Sequence, residues 1–221
     1  MTKAIDVVHA VEMIPDGASL LVGGFLSVGS PRRIIDEIVR QEKKRLTLIA
    51  NDTSKPGIGI ALLIESKCVD FLIASNISAN PETQRQMASG ELRVELCPEG
   101  TLAERIRAGG YGLGGVLTPV GVGTMAAEDK SVVKINNKDY ILEMPIRADF
   151  ALLGAHRVDF RGNLDYALMS RNLNPIMAYA GDVVIAEANE IVPVGVIPPD
   201  GVMTPHVLVD YMIERRRSHG R

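Results

Sequence analysis

The sequence predicts an α/β fold built on an open, mostly parallel sheet flanked by helices, with a small β-hairpin insertion near 131–143. Three observations carry that prediction. Over the first 125 residues, helical segments alternate with short apolar, β-branched runs; those runs end in glycine or asparagine loops; and after Gly109 the rhythm gives way to a glycine-rich stretch and two apolar runs around Asn136-Asn137.

The elements follow in order. Ile5, Val8, Val11 and Ile14 recur at helical spacing, which predicts a helix over 4–14 that Pro15-Asp16-Gly17 stops. Leu20-Leu21-Val22 is an apolar strand running straight into Gly23-Gly24. Ser30 then Pro31 reads as a helix start, because a serine hydroxyl accepts from free amides and proline suits the first turn; Ile34, Ile35, Ile38 and Val39 supply the buried face. Strands over 46–50, 71–75 and 92–96 alternate with helices over 58–65, 81–89 and 101–108, the last opened by a capping box of Thr101 and Glu104. Val132–Ile135 and Tyr140–Glu143 flank Asn136-Asn137 as a hairpin. Further strands are expected over 150–155, 183–186 and 191–194, and a terminal helix over Val207–Ile213 leads into Glu214-Arg215-Arg216-Arg217, a solvated basic tail. With no internal repeat and no Pro/Ser-rich linker, residues 1–221 read as one domain.

Composition excludes several classes. Hydrophobic residues make up 46% and charged residues 23%, with a net charge of -3, so neither disorder nor a nucleic-acid partner is expected. No apolar stretch approaches about 18 residues and the amino terminus lacks a signal peptide's apolar run, so no membrane association is expected and the location reads as cytoplasmic. Cys68 and Cys97 read as reduced core residues, and His9, His156, His206 and His219 lack metal-ligand spacing, so no metal is expected.

The most informative stretch is Asp16-Gly17-Ala18-Ser19-Leu20-Leu21-Val22-Gly23-Gly24-Phe25-Leu26-Ser27-Val28-Gly29-Ser30-Pro31. It combines a strand, a loop with glycines at both ends and a helix start, which lets backbone amides approach an anionic or carbonyl oxygen without Cβ obstruction. Gly23, Gly24, Phe25, Leu26, Ser27, Val28 and Gly29 are therefore candidate ligand contacts; a tight βα turn is the plainer alternative. Dinucleotide binding competes, but the glycine spacing is G-G-x-x-x-x-G rather than G-x-G-x-x-G, and Asp52 would serve as the ribose carboxylate only in an unusual register.

This stretch resembles the signature of family I CoA-transferases. Leu46–Thr53, Ser89–Leu92, Pro98–Glu104, Arg107–Gly110, Thr118–Thr124 and Ser170-Arg171-Asn172 are similar to the alpha subunit of acetate/acetoacetate CoA-transferases. The resemblance implies a Rossmann-like three-layer fold and a ping-pong transfer of CoA between short-chain acids such as acetate, butyrate and acetoacetate, with CoA as substrate and no cofactor. It also implies that the nucleophilic glutamate lies in a homologous beta subunit, in an α2β2 assembly, and that no catalytic residue proper lies in this chain. Glu187-Ala188-Asn189-Glu190 lacks the family's Glu-x-Gly and is expected to cap the turn after a strand.

Under the resemblance, Asn51 is a supporting polar residue, with an Asx turn as the alternative, and Gly100 joins the binding set. Glu99 is a supporting residue that departs from the family's glutamine, which opens the acyl preference to keto or amine-bearing acids; a solvent-facing side chain is the alternative. Thr118–Thr124 reads as a second ligand loop or an interface crossover, and Arg147, Arg171 and Asn172 as braces of an interface or a carboxylate. Rival readings are a sugar-phosphate or nicotinamide enzyme on a similar scaffold, and a non-catalytic CoA-binding protein.

Overall fold

The computed structural model describes residues 4–214; the basic run Arg215-Arg216-Arg217, read as a solvated tail, lies outside them. In chain order the elements are α1 (Val7–Glu12), β1 (Ser19–Val22), α2 (Arg32–Arg40), β2 (Leu46–Asp52), α3 (Ala61–Glu65), β3 (Val69–Asn76), α4 (Pro81–Ser89), β4 (Arg93–Leu96) and α5 (Glu99–Gly110). Then come β5 (Val116–Thr118), β6 (Val132–Ile135), β7 (Lys138–Glu143), β8 (Ala148–Asp159), β9 (Leu164–Asp165), α6 (Asn174–Ala180), β10 (Gly181–Val192) and β11 (Tyr211–Glu214).

The main sheet has the order β11-β10-β8-β1-β2-β3-β4, all parallel, with the short β9 antiparallel to β8. The central strands β1 and β2 and the middle of β8 are buried on both faces and are correspondingly near-continuous apolar runs. One pleat face carries Leu20, Val22, Leu48, Ala50, Leu72 and Leu152 against Val11 of α1, Ile34 and Ile38 of α2 and Leu63 of α3. The other carries Leu21, Ile49, Ile73, Ala151 and Ala186 against Leu102 and Ile106 of α5 and Met177 of α6. The result is the three-layer α/β arrangement that the alternating pattern predicts.

The insertion forms a second sheet, β5-β7-β6, in which β6 and β7 make the expected hairpin. Asn136 (φ 49°) and Asn137 (φ 60°) both adopt the left-handed conformation that a two-residue type I′ connection needs, and asparagine tolerates it better than most residues. β5 adds a third strand that the sequence did not announce. Buried Glu143 pairs with Lys130 (2.7 Å) and Arg105 (3.7 Å), tying this sheet to α5.

Several expectations are corrected. The terminal helix over Val207–Ile213 is instead a 3-10 turn at His206–Leu208 followed by β11, because Tyr211, Met212 and Ile213 pair in parallel with Ile185, Ala186 and Glu187. The strands over 183–186 and 191–194 are one strand, β10, since its ladder with β8 continues through Ala188 and Glu190 to Val192. Thr101 does not open α5: the helix begins at Glu99 after Pro98, leaving Thr101 buried inside it and Glu104 paired with Arg107 on the exposed side. Ser30 does not cap α2; a distant carboxylate does.

Candidate functional site

The parallel register stacks the strand ends in rows. Val22 pairs with Ala50, Ala50 with Ala74 and Ala74 with Leu96, which places Gly23, Asn51, Ser75 and Cys97 side by side at the carboxyl ends of β1 to β4. Ligands in open α/β sheets bind along that edge. One residue further on, Gly24 and Asp52 continue the next row, with Gly154 and Glu187 on the far side of β1.

Above this edge the β1–α2 connection makes a tight turn. Phe25 and Val28 exchange two backbone hydrogen bonds of 2.9 Å, and Leu26 (φ 47°) and Ser27 (φ 71°) between them are both left-handed, the geometry of a type I′ connection without its usual glycine. Each such residue costs about 1–2 kcal/mol, so the surroundings must hold the turn.

The restraints come from far along the chain. The amide of Gly24 donates to Asn172 Oδ1 (3.2 Å), and the side-chain amide of Asn172 donates to the carbonyl of Val28 (3.2 Å). Asn174, fully buried, accepts from the amide of Gly154 (3.0 Å) and donates to the carbonyls of Gly29 (3.0 Å) and Ser170 (2.8 Å). On the opposite flank the amide of Leu26 donates to Asp52 Oδ2 (2.9 Å). At the end of the loop the amides of Arg33 and Ile34 donate to Glu187 Oε2 (2.8 and 3.1 Å), so a carboxylate from β10 satisfies the first turn of α2. Glu187, expected to cap a turn after its own strand, thus caps a helix two strands away. It also occupies the end of α2 that an external anion would otherwise favour.

Accounting for the amides of Gly23–Gly29 narrows the loop's chemistry. Gly23 donates to Leu152, and the amides of Gly24, Phe25, Leu26 and Val28 are committed as described. Among the described residues only the Ser27 and Gly29 amides of this loop have no partner. The glycines are also demanded by the protein itself: a Cβ on Gly23 would lie 1.8 Å from Asn174 Oδ1, one on Gly24 2.0 Å from Ser30 Oγ, and one on Gly29 2.6 Å from the carbonyl oxygen of Ser170. At these three positions internal packing alone already excludes a side chain.

A cavity of about 310 Å³ opens beside the turn, lined by Ser27, Gly29, Arg32, Ser170, Glu187 and Asn189 among others. Leu26 and Val28 are 36% and 46% exposed, so the turn presents an apolar tip to the surface.

Asn51 is buried at 2% exposure, and its Oδ1 accepts from the Ser75 hydroxyl (2.7 Å). Its side-chain amide has no acceptor among the described residues, which leaves it a donor for a ligand oxygen. The Asx turn weighed for Asn51 is made by Asp52, whose Oδ1 accepts from the Ser54 amide (2.7 Å). Glu99 and Gly100 stand apart as the exposed start of α5 after β4. Three strand spacings separate β4 from β1, which puts them roughly 14 Å from the turn. The register sets Gly23, where the turn begins, beside Asn51, and Glu99 follows the last strand of the same edge.

Arg147 braces the structure rather than a ligand, bonding the Gly109 carbonyl (3.1 Å) and Asp182 (2.6 Å). Burial pushes the Cys97 thiol above its ordinary pKa against the opposing hydrogen bond from Arg105, so it is an unreactive core group. Thr118–Thr124 joins β5 to a 3-10 turn that Thr124 caps. Among the described residues no group of three or more His, Cys, Asp or Glu could hold a metal ion, and no helix is long and apolar enough to cross a membrane.

A three-layer α/β sheet with a clamped glycine turn at the carboxyl edge defines a ligand-binding class that many enzymes share. The family model described as Coenzyme A transferase matches residues 5–215, and the chain belongs to that family. It is 45% identical over 217 residues to the acetate CoA-transferase subunit alpha of Escherichia coli K12, covering 98% of this chain and 99% of that one. It is 46% identical over 199 residues to the acetoacetyl-CoA:acetate/butyrate CoA transferase alpha subunit of Clostridium acetobutylicum, covering 90% and 91%. Its fold is similar to that of an acyl-CoA transferase from E. coli O157:H7 solved as a thioester complex with CoA, at a TM-score of 0.84 and 20% identity, covering 99% of this chain but only 49% of that one. The chain thus spans about half the length of that structure.

Proposed function

We propose that this chain is the alpha-type subunit of an enzyme that moves CoA between short-chain carboxylic acids such as acetate, butyrate and 3-oxoacids like acetoacetate. A homologous beta-type subunit completes the site, in an α2β2 assembly in the cytoplasm. The observation that carries this reading is the near full-length similarity to relatives named as alpha subunits of acetate and acetoacetyl-CoA transferases. The match to about half of one chain of an acyl-CoA transferase supports a second half supplied in trans. Residues 1–221 are taken as one domain, consistent with two cores that share one sheet.

The chemistry is a double displacement. A glutamate carboxylate of the partner subunit attacks the acyl-CoA carbonyl and expels the CoA thiolate, giving an acyl-glutamyl anhydride. The thiolate attacks the glutamyl carbonyl, releases the first acid and leaves a glutamyl-CoA thioester. A second acid then runs the sequence in reverse. Every step exchanges one acyl–heteroatom bond for another, so the reaction uses CoA as a substrate and calls for no redox cofactor or metal.

This chain's part is to present donors where negative charge develops on carbonyl oxygen. The uncommitted amides of Ser27 and Gly29 and the side-chain amide of Asn51 are those donors, preorganised by the surrounding clamp. The rest of the Gly23–Gly29 turn, with the apolar tip of Phe25, Leu26 and Val28, lines the path of the acyl-CoA. Glu99 and Gly100, at the far end of the edge, face the outer part of the substrate, where Glu99 biases acid choice.

Co-expression with the beta-type subunit, followed by an assay of acetoacetyl-CoA with acetate, tests the proposal. Transfer by the pair and by neither chain alone is expected. Transfer by this chain alone overturns the half-site reading, and nicotinamide binding without transfer overturns the transferase reading itself.

A further inference from the structure

We propose that Asp52 is a positioning residue for the transfer reaction, holding the β1–α2 turn so that the Ser27 and Gly29 amides face the reacting carbonyl; this rests on the transferase reading above. Asp52 ends β2, is 4% exposed, and divides its two oxygens between two loops. Oδ2 accepts from Leu26 and Oδ1 from Ser54. Both donor amides belong to non-glycine residues in the left-handed region, at φ 47° and 58°, a conformation that such side chains adopt only when something holds them there.

The contact is singular in its direction. From the α6 side the turn is held at Gly24, Val28 and Gly29 by Asn172 and Asn174. From the β2 side the Leu26–Asp52 bond is the polar link among the described residues. Next to it the Ser27 side chain packs against the β2–α3 loop, where a Cβ on Gly59 would lie 2.4 Å from Ser27 Oγ, and that hydroxyl is buried without a partner. The tip between Phe25 and Val28 is thus fixed against β2 by one carboxylate, and Ser27, which carries an uncommitted amide, is the residue after the one it grips.

A carboxylate suits this position better than any near neighbour in shape. Two N–H groups converge on two oxygens, and both must be acceptors. Asparagine keeps the shape but turns an NH2 toward one of the amides, so Asp52→Asn disturbs the turn without opening a cavity.

The test uses the co-expressed alpha–beta complex. In the wild type, hydrogen exchange should be slow at the Leu26 amide and fast at those of Ser27 and Gly29. In Asp52→Asn, exchange at Leu26 should accelerate, and kcat per folded complex should fall about 10²-fold, the usual consequence of displacing a reacting group by about 1 Å, while KM for acyl-CoA changes less than about twofold. Wild-type exchange at Leu26 as fast as at Ser27 overturns the assignment without any variant. So does a kcat loss that merely tracks the fraction of chain folded, or a kcat within about twofold of wild type. Absence of transfer by the wild-type complex overturns the transferase reading, and this assignment with it; transfer by the wild type with an unimpaired Asp52→Asn overturns this assignment alone.

Discussion

Replacing Gly23 with alanine adds one methyl group and tests the clamp directly. The new Cβ would lie 1.8 Å from Asn174 Oδ1 and 2.5 Å from its Cγ, so the asparagine must move by more than 1 Å to reach ordinary contact. Asn174 is fully buried and makes three hydrogen bonds within 3.0 Å, to Gly154, Gly29 and Ser170, none of which survives such a shift. At about 1 kcal/mol each, with overpacking of similar size, Gly23→Ala should cost about 3–5 kcal/mol. For a chain of this length that lowers Tm by roughly 10 °C. Thermal and urea unfolding measure it, and a double-mutant cycle isolates the cause: on an Asn174→Ala background the same methyl should cost under about 1 kcal/mol. Equal destabilisation in both backgrounds, or a Gly23→Ala protein as stable as wild type, would refute the packing argument.

Other perturbations probe separate parts of the structure. Glu187→Ala leaves the Arg33 and Ile34 amides without their acceptor and should destabilise by about 2–3 kcal/mol in urea unfolding; a loss under about 0.5 kcal/mol contradicts the cap. The Ser19 hydroxyl and backbone amide hold the Asp149 carboxyl below its usual pKa. A depressed folded pKa stabilises above the unfolded value near about 3.9 and is lost as pH falls through the folded value, so the stability gap between wild type and Asp149→Asn should close on acidification below about pH 4. A gap that widens on acidification shows that the bond does not favour the ionised form. Glu99→Gln, at an exposed helix start, should leave stability within about 0.5 kcal/mol and raise kcat/KM for carboxylic acids by no more than about fivefold, the most that about 1 kcal/mol of screened like-charge repulsion allows. Identical kinetics across a panel of acids would place Glu99 outside the substrate's reach.

Much of the fold was legible because its signals are local. Apolar runs ending at Gly23 and Asn51 mark strands that meet the ligand edge, and Asn136-Asn137 marks a turn whose dihedral angles the structure reproduces. The misread segments are those where tertiary pairing overrides local pattern. Residues 211–213 lie in a run with helix-like spacing yet become a strand beside β10, whereas Asn174–Ala180, a short helix packed against α5 and β8, falls where the sequence predicts no element. The clamp was the least visible part. Asp52 reaches a partner 26 residues away and Glu187 one 154 away, distances at which a single sequence gives no pairing signal. Their one local mark is an acidic residue closing an apolar run, Asp52 one residue beyond Leu48-Ile49-Ala50 and Glu187 directly after Val183-Val184-Ile185-Ala186. Burial of such a group requires a partner and therefore announces one. Ser170-Arg171-Asn172 stands out in the sequence as a segment, but the brace that Asn172 makes on Gly24 and Val28 is visible only in the folded contacts.

In the proposed transferase this chain builds half of the site and the partner subunit carries the nucleophile. Incubating the alpha–beta complex with acyl-CoA and measuring the intact mass of each chain tests that division most directly. A CoA adduct on the partner chain, labile to hydroxylamine, with this chain unmodified, is expected; an adduct on this chain would overturn the half-site reading.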